Sequence, residues 1–111
     1  MPKPPKLDLV QGTLDLIVLR LLRAGPANGW ELTNAIQATT RGVLDVNYGS
    51  IYPALRRLEA RGFISGRWGA SEHNRRARFY ELTRGGRKQL GVERAEWERF
   101  SRALGLILDS R

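Results

Sequence analysis

Two groups of arginines in this chain are spaced to neutralise phosphate. Arg56, Arg57 and Arg61 fall within NYGSIYPALRRLEARGFI, and Arg75, Arg76 and Arg78 within SEHNRRARFYELT. Guanidinium groups offer planar forks of donors that match phosphate oxygens. Ahead of the first group stand Asn47, Tyr48, Ser50 and Tyr52, side chains able to hydrogen-bond a base edge or a phosphate. Residues 56–88 hold ten Arg/Lys against three Glu, a surplus of seven that supplies most of the formal net charge of +8. A basic region this concentrated is the footprint of a polyanionic partner. On charge alone, a solvated and merely solubilising face fits equally well.

The elements that must carry these arginines follow from periodicity and punctuation. Ile51, Leu55 and Leu58 recur at helical spacing, leaving Tyr52 and Arg56 on one flank of that helix and Ser50 and Arg57 on the other. Gly62 closes it, with Phe63 placed for a Schellman-type contact. Either Asn47 or Ser50 can cap it; Pro53 favours Ser50, because the proline then falls among the first amides, which have no intrahelical partner, whereas a start at Asn47 would put it past the first turn. Ile64 to Trp68 and Ala77 to Leu82 can be strands, joined by a polar loop around Gly69 to Arg76. Asn74, Arg75, Arg76 and Arg78 would form the basic tip and far strand of that hairpin, with His73 as a polar tip residue.

Upstream, Leu14, Ile17, Val18, Leu21 and Leu22 give a first helix from Leu9, capped by Asp8 or Thr13 and ended by Gly25-Pro26. Asn28 and Glu31 resemble a capping box for a second helix, whose buried side would be Trp30, Leu32, Ala35 and Ile36. Thr83 can cap a last helix of roughly 25 residues, too long to find cover along its whole length within so small a chain. Leu90, Trp97, Phe100, Leu104 and Ile107 fall at heptad-like positions there, interrupted by Glu93. We read them, with Leu14 of the first helix, as a homodimer interface. Trp97 is either a core residue of that seam or one wall of a cavity where a planar effector stacks.

These elements, in this order, make a mainly α fold with a β-hairpin: a winged helix-turn-helix with a long C-terminal helix. The expected organisation is a flexible arm (1–8), a winged helix-turn-helix DNA-binding domain (9–82) and a dimerisation helix (83–111). In such a fold the second helix of the pair enters the major groove with its N-terminal residues on base edges, and most arginines grip phosphates. Asn47 and Ser50 are candidates for base contacts. Glu59, three residues beyond Arg56, offers that arginine an ion pair, whereas Arg57 has no acid at helical spacing and is read as free. A dimer implies double-stranded DNA with a pseudo-palindromic site.

Other classes are poorly supplied. With 111 residues, one histidine and no cysteine, the chain offers no thiolate metal site and no convincing catalytic constellation. No phosphate-binding glycine motif is present, and no cofactor is implied. The start, MPKPPKLDLV, lacks a signal-peptide core, and the longest apolar runs, LIVL and ALGLIL, are far too short to span a membrane, so a cytoplasmic protein with no membrane partner is expected.

The segments GTLDLIVLRLL, GPANGWEL, YGSIYPALRRLEARGFI and NRRARFYELTRGGRKQL, in this order from about Gln11 to Leu108, resemble the PadR family of bacterial transcriptional regulators. The likeness is to its short members, which carry one C-terminal helix. Trp30 departs from the pattern, standing where many relatives have tyrosine. The resemblance implies a homodimeric winged-helix DNA-binding protein, usually a repressor that lets go when an effector arrives. It would place Tyr52 and the polar start of the third helix on DNA, and the basic residues before Phe79 on the flanking backbone. It also implies aromatic or drug-like effectors near the dimer interface. The rival readings are a sequence-indifferent RNA-binding or nucleoid protein on the same fold, and a protein-interaction module whose arginines only solubilise.

Overall fold

The structure, a computed structural model, describes residues 11–111. The arm over residues 1–8, the helix start at Leu9 and the cap considered for Asp8 lie outside the described residues. The elements run α1 (Gln11–Leu22), β1 (Ala27–Asn28), α2 (Gly29–Thr39), α3 (Tyr48–Ala60), β2 (Ile64–Ala70), β3 (Arg76–Leu82) and α4 (Arg84–Leu108). Thr13 lies inside α1 and so does not cap it.

Helix α1 packs on more than the face its periodicity marks. Leu14, Val18 and Leu22 are buried as expected, but so is Leu19, while Ile17 and Leu21 are half-covered. The helix is therefore wrapped by α2, α3, α4 and β3 rather than resting on one neighbour. Leu32 and Ile36 of α2 and Ile51, Ala54, Leu55 and Leu58 of α3 complete the helical core, closed from the sheet side by Ile64, Tyr80 and Leu82.

Helix α2 starts as its sequence says. The Asn28 Oδ1 accepts the Glu31 amide at 2.8 Å, and the Glu31 carboxylate accepts the Asn28 amide at 2.9 Å. Trp30 does not join the buried side expected of it: it is 44% exposed, because the first turn of α2 projects beyond the core toward the hairpin tip.

The expected start of α3 is corrected. Asn47, not Ser50, is the N-cap: its side chain accepts the Ser50 amide at 3.0 Å and its carbonyl the Ile51 amide at 3.1 Å. Pro53 then sits in the second turn, where it deprives the Gly49 carbonyl of a partner. Gly49 is exposed, so water can take that role and the loss is small. The other end is as read. Phe63 N–H bonds the Leu58 carbonyl and Gly62 N–H the Glu59 carbonyl, with Gly62 at φ 79°, the full Schellman pattern.

Strands β2 and β3 pair antiparallel in unbroken register, from Ile64 opposite Leu82 to Ala70 opposite Arg76. Both strands are longer than expected and the connecting loop is shorter, residues 71–75, since Gly69, Ala70 and Arg76 belong to the ladder. A third strand went unread. Ala27 and Asn28 pair with Tyr80 and Phe79, anchoring the hairpin to the start of α2 in the order β1-β3-β2.

At the opposite end of β3, Thr83 accepts the Gly86 amide at 3.0 Å and donates to the Gly62 carbonyl at 2.6 Å, capping α4 and tying it to the end of α3. Gly86 is required there, because a Cβ would overlap the Phe63 carbonyl oxygen. Leu90 follows into the chain's own core at 6% exposure, as does Leu14 at 4%. Both were expected in an interface between copies. A helical stripe reports that something covers it, not whether the cover comes from the same chain. Beyond Glu93 the same stripe emerges from that cover: Trp97, Phe100, Leu104 and Ile107 are all exposed. No described helix is long and apolar enough to cross a membrane.

Candidate nucleic-acid interface

One cleft gathers Tyr52, Arg56, Arg75, Arg76 and Arg78 of the residues singled out for phosphate or base contact, while Asn47, Tyr48, Ser50, Arg57 and Asn74 lie outside its lining. It is about 980 Å³ and is walled by the start of α2 (Asn28 to Glu31), the outer face of α3 (Tyr52, Arg56, Glu59) and the hairpin (Trp68, Arg75, Arg76, Arg78, Tyr80). The β2–β3 register explains why. Trp68, Arg78, Ala70 and Arg76 continue outward on the face that nearer the core carries Ile64, Leu82 and Tyr80. Once the core ends, that face looks across open space at α3.

On α3, Tyr48, Tyr52 and Arg56 lie at four-residue steps on the exposed side. The two tyrosine rings stack at 5.7 Å between centroids, each a little under half exposed. Tyr52 also leans on Gly29, where a Cβ would stand 3.1 Å from its ring and hydroxyl, so glycine at the first position of α2 admits that ring. Arg56 forms no ion pair among the described residues. Asn47 is exposed, with its oxygen committed to the cap, and Ser50 is exposed beside it.

Arg57 departs from expectation. Far from being free, its Nη2 donates to the Asp15 Oδ1 at 2.9 Å, with the carboxylate side chain only 10% exposed. The acid lies 42 residues away on α1, beyond the reach of any local spacing rule.

The hairpin tip is a closed turn. Ser71 N–H bonds the Arg75 carbonyl and Asn74 N–H the Ser71 carbonyl, both at 2.8 Å, with Asn74 at φ 58°. Asparagine tolerates that left-handed conformation better than most residues. Asn74, Arg75 and Arg76 are exposed. His73 meets Trp30 edge-to-face at 5.9 Å, bringing the tip toward α2. Arg76 stacks over Trp68 at 4.4 Å.

Arg78 is held differently. Its Nη2 donates to Glu59 Oε2 at 2.7 Å, bridging β3 to the last turns of α3. Helical spacing offers Glu59 to Arg56, but the hairpin claims it instead. That hydrogen bond raises the Arg78 pKa further above its ordinary range. Burial raises the Tyr80 phenol above its ordinary 10.0. Trp30, Trp68 and Glu59 are the parts of this cleft that sequence reasoning missed. Finding them requires the hairpin register, which no motif carries.

On α4, Trp97 and Phe100 border a smaller cavity of about 300 Å³ with Glu93, Glu96, Leu16, Gly12 and Thr13. One Glu93 carboxylate oxygen is buried there without a hydrogen-bond partner, while the other accepts from Gln89 at 3.2 Å.

Comparison with known proteins gives a consistent picture. The model of the transcriptional regulator PadR-like family matches residues 18–92. A transcriptional regulator from Clostridium thermocellum superposes with a TM-score of 0.81 at 29% identity, covering 89% of this chain and 96% of that one. A PadR family transcriptional regulator from Eggerthella lenta gives 0.78 at 27% identity, over 91% and 86% of the two chains. An uncharacterised protein of Lysinibacillus sphaericus is 24% identical over 102 residues, 92% of this chain and 94% of its own length.

Proposed function

The chain belongs to the PadR-like family of transcriptional regulators, winged-helix proteins that bind DNA, and from that premise we propose that it acts as a sequence-reading homodimeric repressor. Residues 9–82 form its DNA-binding unit and residues 83–111 its dimerisation helix. The observation that carries the proposal is the shared cleft: exposed Tyr52 and Arg56 on α3 face Arg75 and Arg76 on the hairpin across one opening.

In this reading the start of α3 lies in the major groove. Tyr48, Ser50 and the amide donors of Asn47 meet base edges, while Tyr52 and Arg56 reach the adjoining phosphates. Asn74, Arg75 and Arg76 follow the flanking backbone from the wing. Arg57 has no part in the contact, being engaged with Asp15.

The second copy is supported by the outer half of α4. Phe100, Ile107 and Leu108 are 64%, 70% and 73% exposed, and a contiguous apolar stripe of this kind marks a protein interface. Two copies present two recognition helices, and so prefer a pseudo-palindromic operator with half-sites one helical turn, or a multiple, apart. Release by a small aromatic effector is supported by Trp97, half-exposed beside Phe100 at the edge of this stripe, where a planar molecule could stack. The protein works in the cytoplasm, on double-stranded DNA, without a cofactor.

The test is a binding titration on the DNA upstream of its own gene and on scrambled DNA of equal length. Selective binding that falls about a thousandfold between about 50 and 200 mM salt supports the proposal. Equal affinity for both DNAs would favour a sequence-indifferent nucleic-acid binder, and absence of binding a protein-interaction module.

A further inference from the structure

Of the acids lining the basic cleft, Glu31 caps α2 and Glu72 stands exposed at the hairpin tip beside His73, whereas Glu59 reaches across to the hairpin. Glu59 faces the opening from α3, and its partner Arg78 reaches it from the hairpin by a built route rather than by surface chance. A Cβ at Gly66 would lie 2.6 Å from the Arg78 Nε, so the glycine leaves the slot through which the guanidinium passes. The rings of Trp68 and Tyr80 flank that group at 5.6 and 5.9 Å from their centroids. The 2.7 Å bond to Glu59 completes the enclosure, and both side chains are about one-third exposed, at 31% and 33%. Arg56 and Arg75 have no carboxylate partner among the described residues, and Arg76 rests on Trp68 alone.

Resting on the DNA-binding reading above, we propose that Glu59 is a specificity-determining residue: it holds Arg78 as a strut between recognition helix and wing, and out of contact with phosphate. Two effects follow. The strut sets the distance between the recognition helix and the wing, and so the spacing between the groove contact of one and the backbone contact of the other. The carboxylate also removes one cation from the cleft and opposes any phosphate that approaches it out of register. Phosphate contacts supply most of the affinity for arbitrary sequence, so holding one back lowers indiscriminate binding more than binding at a matched site. The surface arginines Arg75 and Arg76 bind backbone; Arg78 positions.

Salt dependence separates these roles, because each phosphate contact contributes about 0.9 to the slope of log affinity against log salt. DNA selected from a random pool and a scrambled duplex would be titrated over a salt series with the wild type, Arg76→Gln, Arg78→Gln and Glu59→Gln. The slope is expected to fall for Arg76→Gln and to stay at the wild-type value for Arg78→Gln. Glu59→Gln keeps an oxygen that can accept from Arg78 and so keeps the strut, while adding net charge. It should raise affinity for scrambled DNA about tenfold and steepen its slope, with a smaller gain on selected DNA. A slope reduction in Arg78→Gln equal to that in Arg76→Gln overturns the inference, as does an unchanged ratio of affinities in Glu59→Gln. Wild-type protein that shows no salt-dependent binding to either duplex overturns the DNA-binding reading instead.

Discussion

Arg57 on α3 and Asp15 on α1 meet at 2.9 Å, joining the inner flank of the helix proposed to enter DNA to the scaffold beneath it. The preceding residue, Arg56, turns outward and is exposed. Two adjacent arginines of one motif thus differ in role, one anchoring the helix and the other left outward for the proposed contact with DNA.

Replacing the two arginines should separate stability from binding. Arg57→Ala leaves a buried carboxylate unpaired. It should lower the unfolding free energy by about 1–2 kcal/mol, less than a fully buried pair, since Arg57 is one-third exposed and makes a single bond. Arg56→Ala should change stability by less than about 0.5 kcal/mol while weakening DNA binding. Denaturant midpoints and DNA titrations on both variants check this.

The junction between α3 and α4 admits no side chain at one point. Gly86→Ala pushes a methyl group into the Phe63 carbonyl, and should cost about 2–4 kcal/mol or prevent folding. Gly91→Ala, further along the same helix with open space around it, should instead stabilise by up to about 1 kcal/mol through helix propensity. Thermal unfolding of the two variants, compared with the wild type, gives the sign of each effect.

Several local features were legible because local rules govern them. The capping box at Asn28 and Glu31, the Schellman end at Gly62 and Phe63 and the cap at Thr83 each involve residues within five positions of one another. The start of α3 departs from expectation because the Asn47 cap outweighs the backbone cost of Pro53, whose orphaned Gly49 carbonyl is exposed to water. Strand β1 has two residues and no pattern to detect. The Arg57–Asp15 and Arg78–Glu59 pairs span 42 and 19 residues, and depend on packing that periodicity cannot supply. Leu90 and Trp97 share one stripe, yet one lies in the core and the other is half-exposed, because the stripe outruns the core that covers its first turns.

In the proposed dimer, that uncovered half of α4 is the contact surface. Phe100→Glu combined with Ile107→Glu should weaken self-association by at least about a hundredfold. Helical content should be retained, because neither residue belongs to the core. Sedimentation equilibrium over a concentration series measures the first, and circular dichroism the second. A double variant that remains fully dimeric would place the interface elsewhere.

Tyr80 links stability to alkaline pH. Burial raises its pKa above 10.0, so the fold favours the neutral phenol. Its contribution is therefore full below about pH 10 and is lost as pH rises through the folded-state value. Tyr80→Phe has no phenol to ionise, and should lose less stability than the wild type between about pH 9 and pH 11. Unfolding free energies at a series of pH values test the difference in slope.

Hydroxyl-radical footprinting on DNA selected from a random pool reads out whether two copies present paired recognition helices and wings to one duplex. The expected pattern is two symmetric protected patches about 10–10.5 base pairs apart, or a multiple of that, each with flanking backbone protection from the wing. Uniform protection without a repeated half-site, or a single unpaired patch, would contradict that arrangement.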